Sequence, residues 1–365
     1  MLSKPLITPA LLVALFLCII AGCGTDQIRH YAADQYPERL SDWGVIEQRG
    51  TALTVHPSTT VYGLNTPLFS DYAQKLRTVY LPDGQAATYH PEDTFEFPVG
   101  SIITKTFFYP LGADGAVLTN AAWSGSPDDI DTRKHHLVET RLLVKQADGW
   151  DALPYVWSED DAYLAVTGDL QQFTLQSGEI LNYLVPSKNQ CASCHATNHT
   201  NGKLLPIGPK ARHLNGPHPI TGENQLQQWQ RRGQLHQAVL PFPANASIDD
   251  AKASLTHRAR SYLDINCGHC HNANGAADTS GLLLDYADHP ADKMGLCKPP
   301  IAAGSGSGGR LYSIVPGHAN QSILSFRLSS TKPAAMMPEL GRALTHKEGV
   351  ELIDKWINSL SGECL

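Results

Sequence analysis

The chain has 365 residues, of which 42% are hydrophobic and 17% charged, with a net charge of −7. This is ordinary globular composition, long enough for two or three domains, and its acidic balance argues against nucleic acid as a partner. The charge is unevenly spread: residues 26–190 carry 11 basic and 22 acidic side chains, residues 191–260 carry 8 and 3, and residues 261–365 carry 8 and 10.

The first 22 residues read as an export signal. Lys4 precedes an apolar run from Leu11 to Ile20, which is short for a bilayer span. Its end, Ile20-Ala21-Gly22-Cys23, resembles the cleavage box of bacterial lipoproteins. The resemblance implies that residues 1–22 are removed and that Cys23 becomes the lipid-bearing first residue. With Gly24 rather than Asp next, it implies anchoring at the outer membrane and a periplasmic location. Membrane contact would then run through the lipid alone; an ordinary signal peptide cut nearby is the plainer reading.

Residues 23–180 are predicted to be β-rich. Ser101–Tyr109, Thr140–Val144, Tyr155–Trp157 and Tyr163–Val166 are short apolar runs separated by turn residues. That spacing predicts an antiparallel sandwich or barrel. Trp123, Trp150 and Trp157 are expected in its core, and the His135-His136 pair at its surface.

The next 66 residues, 181–246, contain Cys191-Ala-Ser-Cys194-His195, and the last segment, 247–365, contains Cys267-Gly-His-Cys270-His271. C-x-x-C-H is the attachment signature of c-type haem. Two thiols at this spacing reach the two vinyl groups of one haem, and the following imidazole reaches its iron. Two motifs predict two covalent haem c groups, held by Cys191, Cys194 and His195 and by Cys267, Cys270 and His271. The alternative is a shared zinc site built from the four thiols. The basic stretch after residue 190 would face haem propionates or an acidic redox partner, or form a solvated surface.

Helical spacing is expected for Gln225–Leu235, for a segment from Ser247 toward Asn266, and for a stripe of Val350, Leu352, Ile353, Trp356, Ile357 and Leu360 behind a Thr345–Glu348 capping box. A helix before C-x-x-C-H and another near the C-terminus resemble a class I cytochrome c domain. The expected fold is therefore multidomain α+β, a β-rich sandwich or barrel followed by a mostly α-helical haem-binding region. That resemblance implies a Met before the last helix as the second iron's other axial ligand: Met337, followed by Pro338, or else Met336. No Met lies between residues 2 and 293, so the first iron's sixth ligand is open. His236 and His213 are the local candidates, with a Met from the second haem segment or an open site as alternatives. With Cys23 lipidated and four cysteines on haem, Cys297 and Cys364 form a disulfide candidate in an oxidising compartment. The run Gly304–Gly309 lacks a phosphate-loop Lys and reads as a loop.

Thr66–Ala73, Phe97–Gly100, Ile207–Lys210 and Val315–Gly317 resemble segments of a family of uncharacterised exported dihaem cytochromes. The resemblance implies the architecture more than the reaction. The expected function is electron transfer with periplasmic donor or acceptor proteins. The alternatives are a dihaem peroxidase or oxygenase with an open first iron, and a binding role for the β-rich part.

Overall fold

The computed structural model describes residues 27–196 and 202–365; the signal segment and Cys23 lie outside the described residues. Its strands are β1 (Ile46–Arg49), β2 (Ala52–Val55), β3 (Thr59–Val61), β4 (Gln74–Tyr80), β5 (Ala87–Thr88), β6 (Ile102–Pro110), β7 (His135–Lys145), β8 (Trp150–Ser158), β9 (Asp161–Leu164), β10 (Asp169–Thr174), β11 (Ile180–Val185) and β12 (Leu235–His236). The helices are α1 (Ala192–His195), α2 (Ala211–Leu214), α3 (Gln225–Arg231), α4 (Leu255–Leu263), α5 (Ile323–Ser329) and α6 (Lys347–Ser359).

The centre is one six-stranded antiparallel sheet in the order β3-β4-β6-β7-β8-β9. Side chains alternate across a strand, so β4 turns Leu76 and Tyr80 to one face and Lys75, Arg77 and Val79 to the other. The first face packs Leu76, Ile102, Leu142 and Tyr155 on Leu40 and Trp43 of the N-terminal segment, and the Trp43 indole donates to Tyr155 Oη at 2.8 Å. The second face carries two separate clusters. Val79, Ile103 and Trp150 pack on Leu214, Leu226 and Trp229; Phe107 and Tyr109 pack on the β10–β11 hairpin through Phe173 and Tyr183. With both faces covered, β6 to β8 read as nearly continuous apolar runs. Trp150 and Trp157 are core residues as their surroundings require, with Trp123 packed at its edge.

The expected fold class needs correction. The β-rich part is neither a closed barrel nor two stacked sheets but an open sheet flanked by three two-stranded ones. Nor is the remainder mostly α-helical: the protein is β-rich, with six helices among the described residues, four of them of seven residues or fewer after Val185, and no mostly helical, class I cytochrome c region is evident among those residues. The physical reason lies in the connecting sequence. Residues 272–322 are punctuated by Gly275, Gly281, Pro290, Gly295, Pro299, Pro300 and the Gly304–Gly309 run, which end helices before they lengthen. Those residues form turns and 3-10 segments instead.

Two long elements do persist in the last third. Helix α4 starts at the Ser254 cap, whose hydroxyl accepts from His257 N–H at 3.1 Å, not at Ser247 as expected. It packs on α6 through Tyr262, Leu263, Leu352, Ile353, Trp356 and Ile357, each apolar side chain of that set worth about 1.5–3 kcal/mol when fully buried. The contact is close because Gly349 has no side chain: a Cβ there would lie 2.3 Å from Tyr262 Oη. The Thr345–Glu348 capping box does not form. Thr345 donates to Ser329 O at 3.1 Å, and Glu348 accepts from Tyr72 Oη at 2.8 Å. Cys297 and Cys364 are joined by a disulfide that ties the chain end to the 295–315 loops.

The segment Thr66–Ala73 fastens these parts together. Thr66 donates to Ala246 O at 2.6 Å, Phe69 N–H to Asn266 Oδ1 at 2.9 Å, and the Asp71 carboxylate accepts from Ala343 and Leu344 N–H at 2.7 Å each. Phe69 stacks on His346 with ring centroids 4.3 Å apart. Asp71 and Tyr72 hold φ values of 49° and 61°, a left-handed geometry that non-glycine residues adopt at a cost of about 1–3 kcal/mol each. The surrounding bonds offset that strain.

Candidate haem-binding site

A capping box starts the first motif. Ser187 accepts from Gln190 N–H while the Gln190 side chain accepts from Ser187 N–H at 2.9 Å. The 3-10 turn Lys188–Cys191 runs into α1, so Cys191, Cys194 and His195, at i, i+3 and i+4, share one helical face. The second motif emerges from the C-terminal end of α4 through a π-helical turn, Asp264–Gly268. Gly268 permits this: a Cβ there would lie 2.8 Å from the Asp285 backbone. All four motif cysteines are free thiols.

The two motifs meet. Cys270 Sγ lies 3.5 Å from Ser193 O and directs its single proton to the Cys194 sulfur. Cys194 is the more acidic of the pair, because it accepts from Cys270 and from His269. Among the described residues, however, no three His, Cys, Asp or Glu side chains converge as a metal-ion site, so the four thiols are not arranged as one tetrahedral zinc centre.

Both motif histidines are fixed in the same tautomer. His195 Nδ1 lies 2.9 Å from Leu205 O; a carbonyl only accepts, so Nδ1 bears the proton. His271 Nδ1 lies 3.1 Å from Ser280 Oγ. The Ser280 proton is committed to Ala277 O at 2.6 Å, so that hydroxyl accepts from His271. In each ring Nε2 is left with a bare lone pair, the arrangement of a metal-ligating imidazole held by its other nitrogen. Burial pushes the pKa of both down to about 4, which keeps them neutral. Burial also pushes the Cys191 thiol up and that of Cys267 up to about 12.

Two adjoining cavities flank the junction, of about 170 Å³ and 1030 Å³, and Ile207 and His269 line both. The smaller contains Cys191, Cys194, His195 and His213. His213 is 2% exposed, on α2. Its Nε2 donates to Asp264 Oδ2 at 2.9 Å, while its Nδ1 is buried with no partner. Burial pushes Asp264 up, but bonds from His213 and Asn245 prevail and hold its carboxyl below the usual range. A neutral His213 thus presents an unused Nδ1 lone pair beside Gly208, where a Cβ would lie only 3.3 Å from that nitrogen. His236, the other sequence candidate, is exposed on β12, where it pairs with Thr88, and does not line the cavity.

The Met336–Met337 loop lies against the same junction. Pro338 and Leu340 line the smaller cavity, Met336 is buried and Met337 half-buried. Arg342 clamps the loop by donating to Met337 O at 3.1 Å, Leu344 O at 3.0 Å and Ser330 O at 2.8 Å. His135 and His136 sit at the far end of β7, against Phe108 and Phe173, away from the cavities. Of the basic stretch, Arg212 is taken by Glu92 at 2.8 Å and lies over Tyr286, and Arg260 donates to Ala287 O at 2.7 Å.

The sheet adds a feature that sequence reasoning missed. In register across β4, β6 and β7, Arg77 pairs with Lys105 and Lys105 with Arg141. All three line the smaller cavity, between the two apolar clusters of that face. Like charges directly opposite on neighbouring strands repel. The signal was present as charges inside apolar strands: Lys75 and Arg77, Lys105, and Glu139 and Arg141, spaced by two where they share a strand. Comparison of the chain with protein-family models, with curated proteins and with solved structures gives no match.

Proposed function

We propose that the protein is an exported c-type cytochrome that holds two covalent haems and passes electrons between periplasmic partner proteins. The observation that carries this reading is the pair of C-x-x-C-H histidines, each with Nδ1 tied to an acceptor and Nε2 bare, beside two free thiols. A bound haem supplies one reversible electron at its iron. The chain's own residues do the rest. Cys191 and Cys194 would hold one group and Cys267 and Cys270 the other. Leu205 and Ser280 orient the two imidazoles.

His213, oriented by Asp264, fits the sixth position of the first iron, and Met337, with Met336 beside it, fits that of the second. The contact between Cys194 and Cys270 supports short-range exchange between the two groups. The Cys297–Cys364 disulfide supports an oxidising, exported setting, with Cys23 as lipid anchor.

The test is carbon monoxide binding by the fully reduced protein, with haem counted in the same sample. Two haems and no gas binding is the expected result, and His213→Ala should let one haem bind it. Ready binding by the unaltered protein would overturn the six-coordinate reading in favour of a peroxidase or oxygenase.

A further inference from the structure

Four cations converge on one patch of the sheet: Lys75, Arg77, Lys105 and Arg141. Lys75, Lys105 and Arg141 also gather around the Phe107 ring, at 5.8, 4.8 and 4.5 Å from its centroid. Two carboxylates answer them. Glu139, fully buried, takes Arg141 with its Oε2 at 2.7 Å and also accepts from Tyr183 at 2.7 Å. Asp71 acts on Lys75, but its oxygens are already engaged by Ala343 and Leu344. Arg77 faces no carboxylate. It is 9% exposed, its Nη1 reaches only Lys75 O at 3.3 Å, and its Nη2 is buried without a partner. Arg77 and Lys105 therefore face, with no ion pair of their own among the described residues, a cavity that also contains Cys191, Cys194 and His195, and burial there disfavours the charged form of Lys105. Unpaired buried charge is costly and calls for an anion that arrives with a ligand.

We propose that Arg77 and Lys105 seat the two carboxylates of the haem held by Cys191, Cys194 and His195. This rests on the haem reading above. Two basic side chains without ion pairs would meet two propionates, whose negative charge favours the ammonium form of Lys105, and guanidinium and carboxylate make bidentate, charge-assisted bonds. Positive charge fixed near an iron disfavours its oxidised, more positive state, so the row also raises the potential of that haem.

The test is a redox titration followed optically, with haem content measured on each sample. In Arg77→Met, and in Lys105→Met should the first not fold, one of the two transitions should move to lower potential while the other stays. Arg77→Lys, which keeps the charge, should restore it. Two haems per chain with neither transition moved would overturn the assignment while leaving the haem reading intact. A chain without haem would remove the haem reading and this inference with it. A potential of the unaltered protein that shifts with added phosphate, and ceases to do so in Arg77→Met, would show the row open to free anions and would also overturn it.

Discussion

His346 is the place where acid should loosen the molecule. It caps α6, stacks on Phe69 at 4.3 Å and contacts Tyr262 Oη at 3.1 Å through Nδ1. Its side chain is 11% exposed. Burial is the main reason its pKa falls from 6.5 to about 4, with Lys75 acting in the same direction and Glu348 and Asp249 opposing. The unfolded chain therefore takes up this proton before the folded one does. Stability then rises with pH between about 4 and 6.5, and is lost as pH falls through that window. A shift of about 2.5 units corresponds to about 3.4 kcal/mol in full, of which about 2 kcal/mol is lost between pH 7 and pH 4.5. Urea denaturation at those two pH values measures it directly. His346→Phe keeps the stack on Phe69 and removes the titration, so its loss over the same interval should be smaller by about 2 kcal/mol. Equal acid sensitivity in the two proteins would refute the reasoning, because the seam between Thr66–Ala73 and α6 would then not depend on a neutral imidazole.

Three further outcomes follow from the same packing. Gly349→Ala should destabilise by about 1–3 kcal/mol in urea, although alanine ordinarily favours a helix by about 1 kcal/mol, because its Cβ would meet Tyr262 Oη at 2.3 Å; a gain in stability would contradict the close α4–α6 contact. The double substitution Cys297→Ser with Cys364→Ser opens a loop of sequence separation 67. Chain entropy puts the loss at about 4 kcal/mol, and unchanged denaturation with and without reductant would refute it. Asp264→Ala should free His213 to rotate and allow carbon monoxide to reach one reduced haem at unchanged haem content, whereas no binding would show that His213 keeps its position without that carboxylate.

The C-x-x-C-H motifs and the strands are legible because each rests on a local signal. C-x-x-C-H is a fixed spacing, and Ile102–Pro110 and Trp150–Ser158 are apolar runs between turn residues. The regions where the reading departed from the structure depend on distant partners. Glu348 had the spacing of a capping box, but Tyr72, far away in sequence, takes its carboxylate. The helix expected from Ser247 begins at Leu255 because Ser247 and Asp250 cap turns, with Asp249 and Lys252 N–H donating to their side chains. Helices α4 and α6 have the spacing of a cytochrome-like helical region, but the glycines and prolines between them keep the intervening chain in turns. In sequence His236 stands ahead of His213, because it follows a helix-like segment; only the fold buries His213 in the cavity of His195 and leaves His236 on a surface strand. The row of Arg77, Lys105 and Arg141 needed strand register, which no single segment contains.

The most direct test of the central claim is the mass of the denatured, exported chain after thiol alkylation. Two covalent haems predict a mass raised by two haem groups, with Cys191, Cys194, Cys267 and Cys270 inaccessible to the reagent. A polypeptide mass with those four cysteines alkylated would contradict it.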